Sequence, residues 1–175
     1  AGRHFVVEGV MGLFDGAASG RGSSYEVARI LGLNLYEIKG HTDNKLGIAS
    51  GQLIGGNLSL LTATLGSKTS LNTKGKVIFI EEIGEYKYHI DRQLQSLKRA
   101  GYFKQCSAVI IGDMSKLKTN NPEWGQTIEA LILDILENTN IPVAFGFPAV
   151  HELENRALYF GRHIKLDVTK KYTRV

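Results

Sequence analysis

The chain has 175 residues, of which 43% are hydrophobic, and a chain of this length folds as one domain that buries roughly 70% of its extended surface. The single cysteine excludes an internal disulfide, and the net charge of +4 comes from scattered lysines and arginines, which argues against nucleic acid as a partner. Neither a signal-peptide pattern nor an apolar run of about 20 residues occurs, so we expect a cytoplasmic protein without a membrane span.

Apolar runs bounded by glycine alternate with helix-like periodic stretches, which is typical of an α/β domain. Residues 3–10 predict a buried strand, and a glycine-rich loop follows it. Ser23 and Glu26 form a capping box that opens a helix, and Gly32 ends this helix. We therefore expect a strand-loop-helix segment over residues 1–35.

The middle and the end of the chain predict shorter elements. Residues 34–40 and 46–55 alternate in polarity, so we expect two short strands or turns that pair antiparallel with each other. Asn57 is placed to cap a helix over residues 56–66. The later elements are helices at 88–103 and at 120–140, the second with Pro122 near its start, buried strands at 76–82, 107–113 and 141–147, a hairpin or bent strand at 156–168, and a solvated or frayed tail at 169–175.

These elements predict a single compact α/β domain with a mainly parallel central sheet, flanking helices and a smaller antiparallel β layer, similar to swivelling β/β/α domains. Ile90, Leu94 and Leu97 share one face of the helix at 88–103, which makes this helix amphipathic. Cys106 stands at the start of a buried run and is expected to have a structural role.

Candidate chemistry lies after two of the predicted strands. Glu81, Glu82 and Glu85 cluster at the end of the strand at 76–82, where α/β folds place functional groups, and we expect at least two of them to be solvated loop charges. His151 has a similar place after the strand at 141–147. A carboxylate that orients an imidazole general base is a recurrent device for activating a hydroxyl or thiol. The pattern supplies no nucleophile for this pair.

Three stretches carry a specific resemblance to a known family. They are GQLIGGNLSLLTATLGS, GKVIFIEEIGEYKYHIDRQLQSLKRAGYFKQCSAVIIGD and IPVAFGFPAVHELENRALYFG. Over about residues 36–168 the chain resembles the C-terminal domain of LD-carboxypeptidases, serine peptidases that include the microcin-C-resistance type. The resemblance implies that Glu81 and His151 are the carboxylate and imidazole of a Ser-His-Glu triad. It also implies a murein tetrapeptide substrate, cleaved between a dibasic L-centre and a terminal D-alanine, and no metal or cofactor.

Two local departures from the family pattern affect the loop that would orient the imidazole. Val150 stands where the family usually has glycine before the histidine, and LYFG at 158–161 replaces Leu-Pro-x-Gly. An error of about 1 Å in the position of a catalytic group can cost on the order of a hundredfold in rate.

The start of the chain resembles a different family. In LD-carboxypeptidases the nucleophilic serine comes from a separate N-terminal domain, whereas residues 4–33 resemble cobyrinic acid a,c-diamide synthases, with Glu8 as the acidic residue near nucleotide and metal. The loop G-x-x-x-x-G-K-[ST] that cradles phosphates does not occur in the sequence, which argues against a nucleotide site. We therefore expect a composite chain, natural or engineered, whose segments 1–35 and 36–175 fold together.

Several functional interpretations follow from this sequence. The leading hypothesis is a catalytically idle composite chain that keeps Glu81 and His151 without a nucleophile. The alternative is an active LD-carboxypeptidase that uses Ser23, Ser24 or a serine of another chain, with murein tetrapeptide as its ligand. A nucleotide-binding module is the weaker alternative. An apolar surface left uncovered would favour a homodimer.

Overall fold

A mixed sheet with helices packed on it organises the part of the chain that the computed structural model describes, residues 36–149 and 155–175. The predicted segment 1–35, with Glu8, Ser23 and Ser24, and the predicted site residue His151 lie outside the described residues. The described elements are β1 (Glu37–Lys39), β2 (Gly47–Asn57), α1 (Leu58–Ala63), β3 (Val77–Ile83), α2 (Lys87–Arg99), β4 (Ala108–Ser115), α3 (Ile128–Ile135), β5 (Val143–Ala144), β6 (His163–Val168) and β7 (Tyr172–Arg174).

The seven strands form one sheet in the order β1-β7-β6-β2-β3-β4-β5. From β2 to β5 the neighbours are parallel, and from β1 to β2 they are antiparallel. Residues 47–52 of β2 pair with β6, and residues 53–57 pair with β3, so this strand joins the two halves. The predicted α/β fold, with a parallel centre and flanking helices, is confirmed.

Hydrophobic side chains fill both faces of the sheet. On the helix face, where α1, α2 and α3 pack, Ile78 and Ile80 of β3 join the predicted trio Ile90, Leu94 and Leu97, all buried. On the opposite face Val77 and Phe79 join a second cluster. Strand residues alternate between faces, and each fully buried apolar side chain stabilises the fold by roughly 1.5–3 kcal/mol.

Contacts between aromatic rings stabilise the cluster on the opposite face. The Phe79 ring makes edge contacts with Phe147 at a centroid distance of 6.4 Å and with Phe160 at 5.9 Å. Such edge-to-face pairs add about 0.5–1.5 kcal/mol beyond burial. Cys106 is buried beside the helix-face cluster, as expected, and burial raises the pKa of its thiol to about 11.

The predicted pairing of the two early strands is wrong. β1 pairs antiparallel with β7, and β2 pairs with β6 and β3 instead. The predicted solvated tail is also wrong, because β7 lies inside the sheet, Thr173 is fully buried and Val175 is nearly so. Both errors concern partners that are distant in sequence, which local polarity patterns cannot identify.

Several predicted elements are shorter in the structure. The helix expected at 120–140 spans only Ile128–Ile135, since Thr127 rather than the region of Pro122 begins it: the Thr127 hydroxyl accepts a hydrogen bond from Ala130 N at 3.1 Å. The strand expected at 141–147 is confined to β5. In the stretch 156–168 the chain turns at Gly161, where φ is +84°, and only β6 is strand. Among the described residues, no helix has the length and apolarity to cross a bilayer.

Candidate functional site

The end of β3 carries two consecutive glutamates that are both buried. Glu81 is 5% exposed and Glu82 is 3% exposed, and they lie on opposite faces of the sheet because strand side chains alternate. The expectation that at least two of Glu81, Glu82 and Glu85 are solvated is therefore wrong. Burial of a carboxylate is costly unless hydrogen bonds or charges compensate it.

Glu82 is compensated by a dense set of donors, which we call the Glu82 clasp. Its Oε1 accepts hydrogen bonds from Asn57 Nδ2 at 2.8 Å and Ile83 N at 3.0 Å, and its Oε2 accepts from Ser59 N at 2.9 Å and Ser59 Oγ at 2.6 Å. Gln93 Nε2 donates to Ser59 Oγ at 2.9 Å. Hydrogen bonds to a charged acceptor are the strong ones. The clasp therefore ties the first turn of α1 and helix α2 to the end of β3.

Asn57 has a second role at the same point. Its Oδ1 accepts a hydrogen bond from Leu60 N at 3.1 Å, so it caps α1 as the sequence predicts. The preceding glycines let the chain reach this position: Gly55 and Gly56 have φ of +129° and +142°, and a Cβ on Gly55 would lie 1.9 Å from Phe79 O. The Gly-Gly-Asn sequence is thus a close approach of β2 to its neighbour β3, followed by a helix cap.

Glu81 lies at an irregularity in the sheet. Ile80 pairs with Ile111 and Glu82 with Met114, so Gly112 and Asp113 of β4 together oppose Glu81. A Cβ on Gly112 would lie 2.5 Å from the Phe79 ring and 3.3 Å from Glu81 Cβ. This bulge is a recurrent way to redirect a side chain next to a functional site. It leaves Glu81 buried against a glycine at the carboxyl end of the central parallel strand.

A cavity of about 330 Å³ lies beside this strand end. Asp113 lines it, and the Oδ2 of Asp113 is enclosed and lacks a hydrogen-bond partner among the described residues. His41 forms another wall, with its ring 5.8 Å from that of Phe145 and its Nδ1 accepting from Asp43 N at 3.3 Å. The lining residues are His41, Ile111, Gly112, Asp113, Met114, Ile128, Glu129, Phe145, Gly146, Phe147, Pro148 and Ala149.

Of the predicted pair Glu81 and His151, the structure describes only Glu81. Pro148 and Ala149 line the cavity at the point where the chain leads towards His151, but that histidine lies outside the described residues. The pairing of Glu81 with His151 therefore stays a prediction. Ser23 and Ser24 also lie outside the described residues, so they too stay predicted candidate nucleophiles.

A second carboxylate-imidazole pair, missed by the sequence reasoning, is present nearby. Glu85 Oε2 lies 2.5 Å from His89 Nδ1, and this hydrogen bond, more than any other influence, lowers the pKa of Glu85. Both side chains are about 30% exposed, so the pair is solvated and worth little in stability. The spacing of four residues at the start of α2 is the signal that could have revealed it.

The described part of the chain contains no set of side chains suited to binding a metal ion. Within residues 36–149 and 155–175, no three or more His, Cys, Asp or Glu side chains group closely enough to hold an ion. The candidate site is thus a buried carboxylate, a cavity with polar and apolar walls, and a partly exposed Glu85–His89 pair.

Comparison with known proteins gives one consistent family. Residues 50–166 match the sequence model of the LD-carboxypeptidase C-terminal domain. The chain is 34% identical over 125 residues to a probable murein peptide carboxypeptidase of Bacillus subtilis, covering 71% of this chain and 39% of that protein. It is 26% identical over 118 residues to the murein tetrapeptide carboxypeptidase of Pseudomonas aeruginosa, covering 67% and 38%.

A solved structure shows the same fold. The muramoyltetrapeptide carboxypeptidase from Oxalobacter formigenes superposes with a TM-score of 0.75 at 24% identity, covering 89% of this chain and 55% of that one. The chain spans about two fifths of the length of the two curated relatives. The family match lies within the predicted region 36–168 and does not include residues 1–35. The synthase resemblance and the composite origin of that segment therefore stay predictions.

Proposed function

Because the chain belongs to the LD-carboxypeptidase C-terminal domain family, we propose that it supplies the acid and the general base of a Ser-His-Glu triad, Glu81 and His151. The observation that carries this proposal is the position of Glu81, buried at the carboxyl end of the central parallel strand and opposite a bulge. Functional groups of open α/β sheets gather at that edge. The Glu82 clasp supports the proposal, because it fixes the backbone on which Glu81 is mounted.

In the proposed reaction, His151 accepts the proton of a serine hydroxyl as the oxygen attacks the carbonyl before a terminal D-alanine. The imidazolium then protonates the amine of the departing D-alanine, and a water molecule hydrolyses the acyl-enzyme by the same route. Glu81 orients the ring and stabilises its charged form. The substrate is a murein tetrapeptide: the Pseudomonas aeruginosa relative is named for that substrate, and the Bacillus subtilis relative is named for a murein peptide.

We further propose that the 175-residue chain alone is idle, as a composite of segments 1–35 and 36–175. Ser59, which lies next to β3, donates its hydroxyl to Glu82 and is held by Gln93, so it is committed to the clasp. The test is incubation with a murein tetrapeptide, followed by chromatographic detection of D-alanine. No release is expected, and turnover that disappears in His151→Ala would refute idleness.

The second candidate is an active enzyme whose serine comes from Ser23, Ser24 or another chain. The observation that favours it is the coverage of about two fifths of each curated relative, which leaves most of their length to carry other parts of the site. A serine-directed phosphonate, read by mass spectrometry, tests it. Labelling that disappears in a Ser23→Ala/Ser24→Ala double variant would assign the nucleophile to this chain, whereas labelling only of an added partner chain would assign it there.

A further inference from the structure

A second cleft, of about 480 Å³, opens beyond the end of β3. The segments that leave β3 and β4 continue side by side: Gly84 N donates to Ser115 O at 3.0 Å, and Lys118 N donates to Glu85 O at 3.0 Å. Tyr86, which follows, forms one wall of the cleft. The cleft therefore lies at the same edge of the sheet as Glu81. We call it the aromatic cleft.

Three aromatic side chains line the aromatic cleft. Tyr86 and Tyr88 are stacked with ring centroids 5.5 Å apart and an interplanar angle of 29°. Neither tyrosine belongs to the two hydrophobic clusters, and Tyr88 is 41% exposed. Trp124 lines the same cleft, is partly buried against the helix-face cluster, and is the single tryptophan of the chain. Tyr88 is the exposed ring of the three, and it offers the cleft a flat apolar face and a polar edge.

The rings are held in place by neighbouring side chains. Lys118 Nζ lies 5.3 Å from the centre of the Tyr86 ring, and the Arg92 guanidinium lies 5.9 Å from that of Tyr88. The His89 ring makes an edge contact with Tyr88 at 4.3 Å. Cation-π and edge contacts of this type stabilise a fixed ring orientation. The aromatic wall is therefore preformed, which lowers the entropy cost of binding a ligand.

Polar groups complete the aromatic cleft. Asn120 and Asn121 contribute amides, and Glu123 contributes a carboxylate. The Oδ1 of Asn120 is enclosed and has no hydrogen-bond partner among the described residues. The lining includes no lysine or arginine, so it suits a neutral ligand rich in hydroxyl groups better than a phosphate. A volume within about 300–1,000 Å³, apolar faces and a few polar groups are typical of small-ligand sites.

We propose that the aromatic cleft binds the N-acetylated amino sugar of a murein peptide while the peptide part extends to Glu81. The C–H face of a pyranose ring would pack on Tyr88 and Trp124, and its hydroxyl and acetamido groups would hydrogen-bond with Asn121 and Glu123. The inference rests on the proposed function, since the sugar and the peptide are parts of one substrate. The related Oxalobacter formigenes protein is named for a muramoyl tetrapeptide, in which both parts are present.

Tryptophan fluorescence gives a direct test, because Trp124 is the only tryptophan. The 175-residue chain is titrated separately with N,N'-diacetylchitobiose, the free tetrapeptide, N-acetylmuramoyl tetrapeptide and AMP. We expect chitobiose to change the emission, and the muramoyl tetrapeptide to bind about tenfold more tightly than the free tetrapeptide, the equivalent of one good added contact. Emission that responds to AMP or to free peptide, and not to chitobiose, overturns the proposal.

Matched variants separate a specific site from a general surface effect. Tyr88→Ala and Asn121→Ala are each expected to weaken chitobiose binding about fivefold or more, whereas Leu60→Ala, at an exposed apolar residue of α1, leaves it unchanged. Equal affinity in all variants that keep the wild-type circular dichroism spectrum overturns the proposal. Chitobiose has no peptide bond to a D-alanine, so its binding succeeds or fails independently of peptidase activity. Release of D-alanine without chitobiose binding removes the sugar subsite but leaves the proposed function intact.

Discussion

Glu82 on the helix face and Glu81 on the opposite face are neighbours in the chain, but they lie in different surroundings. Four hydrogen bonds from Asn57, Ser59 and Ile83 surround Glu82. Glu81 instead lies against the glycine of a bulge, beside a cavity. The difference separates two duties: Glu82 secures the local fold through these bonds, and Glu81 has the proposed catalytic role. Changes to the two faces should therefore have different consequences.

The largest expected effect is the loss of catalytic activity when Glu81 or His151 is changed. With a nucleophilic serine supplied by a partner chain, Glu81→Gln or His151→Ala should lower kcat by about ten-thousandfold or more, as loss of a triad member does elsewhere. On the free tetrapeptide, which lacks the sugar, His89→Ala is the matched control, because it removes the imidazole of the Glu85–His89 pair, and it should retain most activity. D-alanine release is measured by chromatography. Loss of activity in His89→Ala alone would transfer the catalytic role to that pair.

The next effect concerns stability on the helix face. Glu82→Ala leaves the amide of Asn57 and two backbone N–H groups without their acceptor, and each buried unpaired donor costs about 1–3 kcal/mol. We expect a decrease of about 3 kcal/mol or more in the free energy of unfolding, measured by urea denaturation. Glu123→Ala, which removes an exposed carboxylate, should cost less than half as much. Equal losses in the two variants would contradict the structural role of Glu82.

A smaller loss is expected from closing the space at the bulge. In Gly112→Ala the new methyl group meets the Phe79 ring and Glu81 Cβ, which should destabilise the fold by about 1–3 kcal/mol. Gly125→Ala is the matched control, since nothing lies within 4 Å of a Cβ there. Thermal unfolding followed by circular dichroism compares them. Identical melting temperatures would show that the bulge relaxes freely.

The buried thiol gives a prediction about pH. Burial raises the pKa of Cys106 from 9.0 to about 11, so the thiolate is scarce at pH 8 and iodoacetamide should react slowly until urea unfolds the chain. Because the unfolded chain loses this proton first, the associated stability is present below pH 9 and is lost as the pH rises towards 11. Rapid alkylation of the native chain would contradict this.

The smallest effect concerns the exposed pair. The hydrogen bond from His89 lowers the pKa of Glu85 below its ordinary 4.5, so its stabilisation is present at neutral pH and is lost on acidification. His89→Ala should return the Glu85 pKa towards its ordinary value, as followed by NMR titration. The accompanying change in stability should be within about 1 kcal/mol, since the pair is solvated.

Features encoded in short stretches could be predicted from the sequence. The Asn57 cap and the apolar positions Ile90, Leu94 and Leu97 need only neighbouring residues, and the structure confirms them. The burial of Glu82 could not be predicted, because its donors Asn57 and Ser59 precede it by 25 and 23 residues. The aromatic cleft at Tyr86 and Trp124 could not be predicted either, because it forms only where the segments after β3 and β4 continue side by side.

The pairing of the strands shows the same limit. A short polar strand such as β1 carries no mark of its neighbour, and its partner β7 is at the far end of the described chain. Residues 169–175 contain three charged side chains in seven, which is typical of a solvated tail. Their inclusion in the sheet depends on contacts of Thr173 and Val175 that only the assembled fold provides.

The pairing of β1 with β7 also determines where attached polypeptide would emerge. Tyr36 N donates to Val175 O at 3.0 Å, and Val175 N donates to Tyr36 O at 2.9 Å, so the first and last described residues are direct neighbours. A domain fused ahead of residue 36 and one fused after residue 175 would leave the sheet from the same corner. A short peptide could join the two positions, and new termini could then be opened in a surface loop to give a circular permutant with the same sheet.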